Sequence, residues 1–161
     1  MEPIIHVGIG QMRVARSPAR LMCVGLGSCI AVVLFDPSTK IGGVAHVMLP
    51  DDTVGKQDSS SPAKFGNTAA KALLEEMKKV GVNPYIIVAR ITGGANMFKN
   101  VSPDMKDIGK ENAEQVKKSL QALHIKIIAE DVGGTTGRTI ELDTATGRLI
   151  IKNIHGKTIV L

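Results

Sequence analysis

The sequence predicts an α+β fold, an α/β sandwich of packed mixed β-sheets with two main helices on the outside. Three observations predict it. Eight short runs rich in β-branched residues have the pattern of strands, only two stretches carry helical periodicity, and several strands, Ile30–Phe35 most clearly, are apolar on both faces. Two helices cannot cover that much two-sided sheet, so the sheets must pack on each other. At 161 residues the chain suits a single domain, residues 1–161.

The strands are expected at Ile4–Ile9, Arg20–Val24, Ile30–Phe35, Gly43–Leu49, Tyr85–Ile91, Ile125–Asp131, Thr139–Leu142 and Leu149–Asn153, the last two forming a hairpin around Asp143–Gly147. Asp51–Ser61 has the composition of a surface loop. Pro62 fits the first position of a helix capped by Ser61, with Phe65, Ala69, Leu73, Met77 and Val80 as its buried stripe and Gly81 as its stop. A second helix is expected over about Lys110–Leu123, burying Ala113, Val116, Leu120 and Leu123, with Lys117 and Lys118 on the wet side.

Composition narrows the function. Net charge is +5, which favours an acidic partner, but only 2% of residues are aromatic, leaving almost nothing on which unpaired bases could stack. The lysines are interspersed with glutamates on helical faces, so no nucleic-acid partner is expected. Two cysteines are too few for a disulfide scaffold, no apolar run reaches membrane-spanning length, and M-E-P-I-I-H-V-G lacks the flank and core of a signal peptide. The expected setting is cytoplasmic, without direct membrane insertion.

Chemistry concentrates between Gly25 and His46. Cys29 follows the turn G-L-G-S, whose glycines free the backbone to aim N–H groups at one spot, as an oxyanion requires; Gly27 and Ser28 are the candidate oxyanion and substrate loop. His46 ends the next apolar run, and D-P-S-T-K between them marks a hairpin. A two-residue loop would pair Cys29 with His46 directly. Proline disfavours the primed turns such a loop needs, so a four-residue loop, Pro37–Lys40, is expected. Paired positions then sum to 77, His46 faces Ala31, and Cys29 is a diagonal neighbour on the same face, roughly 7–8 Å away between Cα atoms. A three-residue loop would point the two side chains to opposite faces. Each residue alone is equally what a core would use, and Cys23, Cys29 and His46 match no usual zinc spacing. Neither a metal nor a cofactor is expected.

G-L-G-S-C, D-P and A-H-V-M-L-P, followed in order by I-T-G-G-A-N-M-F (Ile91–Phe98), D-I-G-K-E-N (Asp107–Asn112) and E-D-V-G-G-T-T-G-R (Glu130–Arg138), resemble the CheD family of chemoreceptor glutamine deamidases. The resemblance implies a hydrolase that converts receptor glutamines to glutamates in chemotaxis, in a fold similar to the catalytic domains of the cytotoxic necrotizing factor toxins. It implies two partners, the cytoplasmic helices of chemoreceptors and the phosphatase CheC. It also implies Cys29 as nucleophile, His46 as base and, at the family's threonine position, Cys23 as third catalytic member. A thiol accepts hydrogen bonds less well than a hydroxyl, so the orientation of His46 could rest on a backbone carbonyl instead. Gly93-Gly94 and Gly133-Gly134 are expected to turn the chain near the site, and Thr135, Thr136 and Arg138 are candidates to meet substrate. The rival reading is a non-catalytic module that docks on receptors or on CheC.

Overall fold

The structure, a computed structural model, describes residues 2–53 and 61–161. Its strands are β1 (Ile4–His6), β2 (Met12–Arg16), β3 (Arg20–Leu26), β4 (Ile30–Asp36), β5 (Ile41–Val47), β6 (Val88–Gly93), β7 (Lys126–Val132), β8 (Arg138–Asp143), β9 (Arg148–Asn153) and β10 (Thr158–Val160). Its helices are α1 (Ala69–Lys79) and α2 (Ile108–Ala122). One sheet has the order β1-β3-β8-β9-β10 and the other β2-β5-β4-β6-β7. Each mixes one parallel pair, β1 with β3 and β6 with β7, with antiparallel neighbours.

The expected sandwich is present. Leu21 and Leu26 of β3, Ala31 and Val33 of β4, Val44 of β5, and Ile140 and Leu142 of β8 fill the layer between the sheets. Alternate residues of the second sheet, including Val32, Leu34, Ala45 and Ile91, pack outward against Leu73 and Met77 of α1 and Val116 and Leu120 of α2. This is why β4 is apolar from Ile30 to Phe35 on both faces, with all seven of its residues, Asp36 included, buried. Gly42 and Gly43 allow the close approach on both sides of β5. A Cβ on Gly42 would lie 2.6 Å from Leu142, and one on Gly43 would lie 2.8 Å from Leu73.

Several boundaries differ from the sequence expectation. Pro62 opens a single 3₁₀ turn, Pro62–Lys64, and Ser61 makes no side-chain cap; α1 starts only at Ala69. Val80 lies outside the helix and is exposed, because α1 ends before its stripe completes another turn. Helix α2 starts two residues early, where the Asp107 carboxylate accepts from Lys110 N–H at 3.0 Å. Two edge strands, β2 and β10, carry no clean signal: β2 sets Arg13 and Arg16 three apart around Val14 and Ala15, which breaks the alternation of a strand, and β10 is three exposed residues. Most of the Asp51–Ser61 loop reading, residues 54–60, lies outside the described residues.

The β4–β5 hairpin sets the register that matters for function. Its loop is Pro37–Lys40, and Ile30↔Val47, Ala31↔His46 and Asp36↔Ile41 are paired. Asp36 ties the turn together: its carboxylate accepts from Ser38 N–H at 2.8 Å, Ser38 Oγ at 2.7 Å, Thr39 N–H at 3.3 Å and Asn83 N–H at 2.8 Å. Burial alone would raise the Asp36 pKa, but these donors outweigh it and hold the carboxyl down at about 2.

A carboxyl depressed in the folded state stabilises the fold above its unfolded pKa and loses that contribution as pH falls through its folded one. Asp36→Asn should therefore lower stability at pH 7 by about 1–2 kcal/mol. The gap to the native protein should close between about pH 4 and about pH 2, measured by denaturant unfolding across that range.

Candidate active site

The turn between β3 and β4 is Gly27–Cys29, and all three of its carbonyls are engaged. Gly27 O accepts from Ala95 N–H at 2.9 Å and Cys29 O from Gly94 N–H at 2.8 Å. Ser28 O accepts from the Asn112 amide at 2.9 Å. The N–H groups of Gly27, Ser28 and Cys29 donate to nothing among the described residues. With every carbonyl tied back into the protein, three consecutive donors are left over beside Cys29, an arrangement able to receive an anion. The turn has no slack on its inner side, since a Cβ on Gly93, which has a φ of +110°, would overlap the Cys29 carbonyl oxygen.

His46 is clamped by the crossover that leads from β1 to β2. Gly10 N–H donates to His46 O at 2.9 Å, and His46 N–H donates to Gln11 O at 3.0 Å. The ring Nδ1 lies 3.0 Å from Val7 O. A carbonyl can only accept, so Nδ1 carries the proton and Nε2 of the neutral ring is left as the basic nitrogen. The group that orients the imidazole is thus a backbone carbonyl.

The structure brings Cys29 and His46 onto one face. Cys29, half-buried, packs against the layer between the sheets, where Ala31, Val33 and Val44 also point. His46 shares the orientation of Val44 two residues before it and stands opposite Ala31, so it is the diagonal neighbour of Cys29. No hydrogen bond joins thiol and imidazole in this resting state. Burial pushes the Cys29 thiol up and the His46 imidazole down, the latter against a smaller upward pull from Val7. At neutral pH the pair is therefore a thiol and a neutral imidazole. Buried His46 sits at the floor of a concavity of about 180 Å³ lined also by Val7, Met22 and Val24; Cys29 does not line it.

Cys23 sits on β3 opposite Ile140, fully buried, and makes no hydrogen bond to His46. Burial, with the nearby Cys29 adding, raises its thiol to about 12. Gly93-Gly94 and Gly133-Gly134 do meet near Cys29, Gly133 N–H donating to Gly93 O at 3.0 Å. Arg138 differs from expectation. It is buried, and its guanidinium binds Asp131, Gly133 O and Thr136 O, so it braces the 131–138 turn and is not free for substrate. Thr135 lines a larger concavity, about 350 Å³, that neither Cys29 nor His46 touches. Among the described residues no three His, Cys, Asp or Glu side chains form a metal site.

Two contributors carried no role in the sequence reading. Val7, an apolar residue acting through its carbonyl, offers no signal. Asn112 does: it interrupts the apolar stripe that continues through Val116 and Leu120, and a fully buried amide there needs a reason. It donates to Ser28 O and, at 3.1 Å, to Met48 O, holding together the ends of the two strands that carry Cys29 and His46. Beside the turn the 94–107 segment exposes Met97, Phe98, Val101 and Met105, and all but Val101 line a cavity of about 150 Å³ that reaches Ser28.

Thiol alkylation should distinguish the two cysteines. Iodoacetamide should label only Cys29 in the folded protein, at a rate that climbs through and beyond the pH of an ordinary thiol, with Cys23 labelled only after unfolding. Peptide mapping after timed labelling reads this directly.

A sequence profile described as CheD chemotactic sensory transduction matches residues 48–153, beginning just after His46. Relatives extend across both site residues. The chain is 44% identical over 156 residues to the chemoreceptor glutamine deamidase CheD of Halalkalibacterium halodurans, covering 96% of each chain. It is 43% identical over 150 residues to the protein of the same name from Thermotoga maritima, covering 93% of this chain and 92% of that one. Among solved structures, a Neisseria meningitidis protein of a DUF152 family shares the fold, with a TM-score of 0.51 at 12% identity over 83% of this chain and 65% of that one. The likeness to the toxin domains rests on the sequence resemblance alone. By near full-length identity and by the profile, the chain belongs to the CheD family.

Proposed function

We propose that this protein is a protein-glutamine deamidase that hydrolyses particular glutamine side chains of chemoreceptors to glutamate, releasing ammonia, in chemotaxis signalling. The observation that carries the reading is the hairpin register, which sets Cys29 and a tautomerically fixed His46 on one face beside three unpaired N–H groups. Relatives named for this activity, at 44% and 43% identity, support it.

The His46 Nε2 takes the Cys29 proton as substrate closes the remaining gap, and the thiolate attacks the glutamine side-chain carbonyl carbon. The Gly27–Cys29 N–H groups hold the oxyanion. The imidazolium, steadied by Val7 O, returns its proton to the departing ammonia. Water, deprotonated by the same Nε2, then cleaves the thioester, giving glutamate and free thiol. Val7 O fills the orienting role, and Cys23 serves as packing beside the nucleophile. A neutral resting pair suits an enzyme that must not modify stray amides, because the ion pair forms only when substrate excludes water and completes the alignment.

The apolar rim of Met97, Phe98, Val101 and Met105 offers a surface for a receptor helix, and the net charge of +5 favours an acidic one. The CheC phosphatase is the second partner in this reading, competing for the same face. Receptor cytoplasmic helices place the reaction in the cytoplasm; no helix among the described residues is long and apolar enough to cross a membrane.

Incubation with a receptor cytoplasmic fragment should add about one mass unit per glutamine converted. Cys29→Ala should abolish the gain and His46→Ala should slow it by roughly a thousandfold. Because burial lowers the imidazole pKa, the acid limb of kcat/KM should fall below the pH of an ordinary histidine. A gain that survives Cys29→Ala removes the thioester mechanism; tight binding with no gain from the native protein favours a regulatory docking module.

A further inference from the structure

Thr92 is an unexplained polar group. It lies on β6, fully buried, and its hydroxyl has no hydrogen-bond partner. Buried hydroxyls normally have one, since leaving such a group unsatisfied costs about 1–3 kcal/mol. Valine would fill the same space in a strand at no such cost, so the hydroxyl calls for a purpose outside the resting fold.

Register supplies one. Ala31 of β4 is paired on one side with His46 of β5 and on the other with Thr92 of β6. Cross-strand partners point to the same face, so all three side chains project between the sheets, as does that of Cys29. Gly94 N–H bonds to Cys29 O, continuing the β4–β6 pairing past Ile30↔Gly93. Cys29 is therefore the diagonal neighbour of Thr92 as well as of His46. The side chain in the middle of this row is only a methyl group, which leaves the room above Ala31 to be shared by imidazole, sulfur and hydroxyl.

We propose that Thr92 is a further catalytic residue, whose hydroxyl donates a hydrogen bond to the Cys29 sulfur as that atom takes up negative charge. The thiol proton goes to His46 Nε2, and Thr92 keeps its own. A neutral thiol is a poor acceptor, so the bond is absent at rest; a thiolate is a strong one, so the bond forms only along the reaction. Stabilisation withheld from the ground state in this way accelerates the chemical step. The inference rests on the deamidase reading for its biological meaning, but its test needs no receptor.

The pH dependence of Cys29 alkylation by iodoacetamide should be measured for the native protein, Thr92→Val and Thr92→Ser, with thermal unfolding of each. Thr92→Val should move the alkylation midpoint upward by about one pH unit, making Cys29 about tenfold slower to react at a given pH below it. The same variant should match or exceed the native Tm, because an unsatisfied hydroxyl has been removed. Thr92→Ser, which keeps the donor, should leave the midpoint near the native one. A Thr92→Val profile that superimposes on the native one would overturn the proposal, whatever its Tm. A midpoint shifted equally by Thr92→Ser would also overturn it, since packing and not the hydroxyl would then be responsible. Failure of receptor deamidation would leave these alkylation results unchanged, so the two readings fail separately.

Discussion

The arrangement depends on the register of one hairpin. Side chains on a strand alternate between faces, so a one-residue change in the loop after β4 would turn every residue of β5 over. His46 would then face α1 and Ala45 would face the sheets. Asp36 holds the register through four donors, one of them from Asn83 in the segment after α1, so the turn is braced from outside the hairpin as well as within it. The glycines of β5 belong to the same constraint. Gly42 and Gly43 let a strand pack tightly between the opposite sheet and α1, which keeps the layer around His46 dry and closely packed.

Within that layer the proposed mechanism leans heavily on the backbone. Three carbonyls of the Gly27–Cys29 turn are bound by Ala95, Asn112 and Gly94, and the donors of the same residues are left unbound. Asn112 and the Gly93-Gly94 pair belong to the active site in this sense, although neither reacts. Val7 acts through its carbonyl too, selecting the tautomer of His46. The same burial that orders these groups disfavours the charged thiolate and imidazolium. The enzyme in this account is quiet until substrate supplies the missing alignment, and a hydroxyl kept unpaired at Thr92 follows the same logic.

Much of this was legible in the sequence, for reasons that differ by element. β4 announced a two-sided environment because Ile30–Phe35 is an unbroken apolar run, and Pro37 disfavoured the tightest loop, which pointed to the register observed. The shared face of Cys29 and His46 was legible because the loop length fixes which side chains of β4 and β5 point together. Edge strands were not: β2 must meet solvent on one face, so its arginines interrupt the pattern that marks a strand. The start of α1 was misplaced because Pro62 suits any first turn, whether 3₁₀ or α. Arg138 looked available because exposure is the usual state of an arginine, and only the fold shows three acceptors closing around it. Val7 could not have been found, since a carbonyl belongs to every residue.

The proposed mechanism requires the Cys29 sulfur and the His46 Nε2 to come together. The most direct measurement is cross-linking with 1,3-dibromoacetone, which alkylates a thiol first and then bridges it through three carbons to a second nucleophile within reach. Peptide mapping should find Cys29 joined to His46 in the folded protein and not after unfolding. Cys29 alkylated without a bridge, or bridged to another residue in place of His46, would contradict the account.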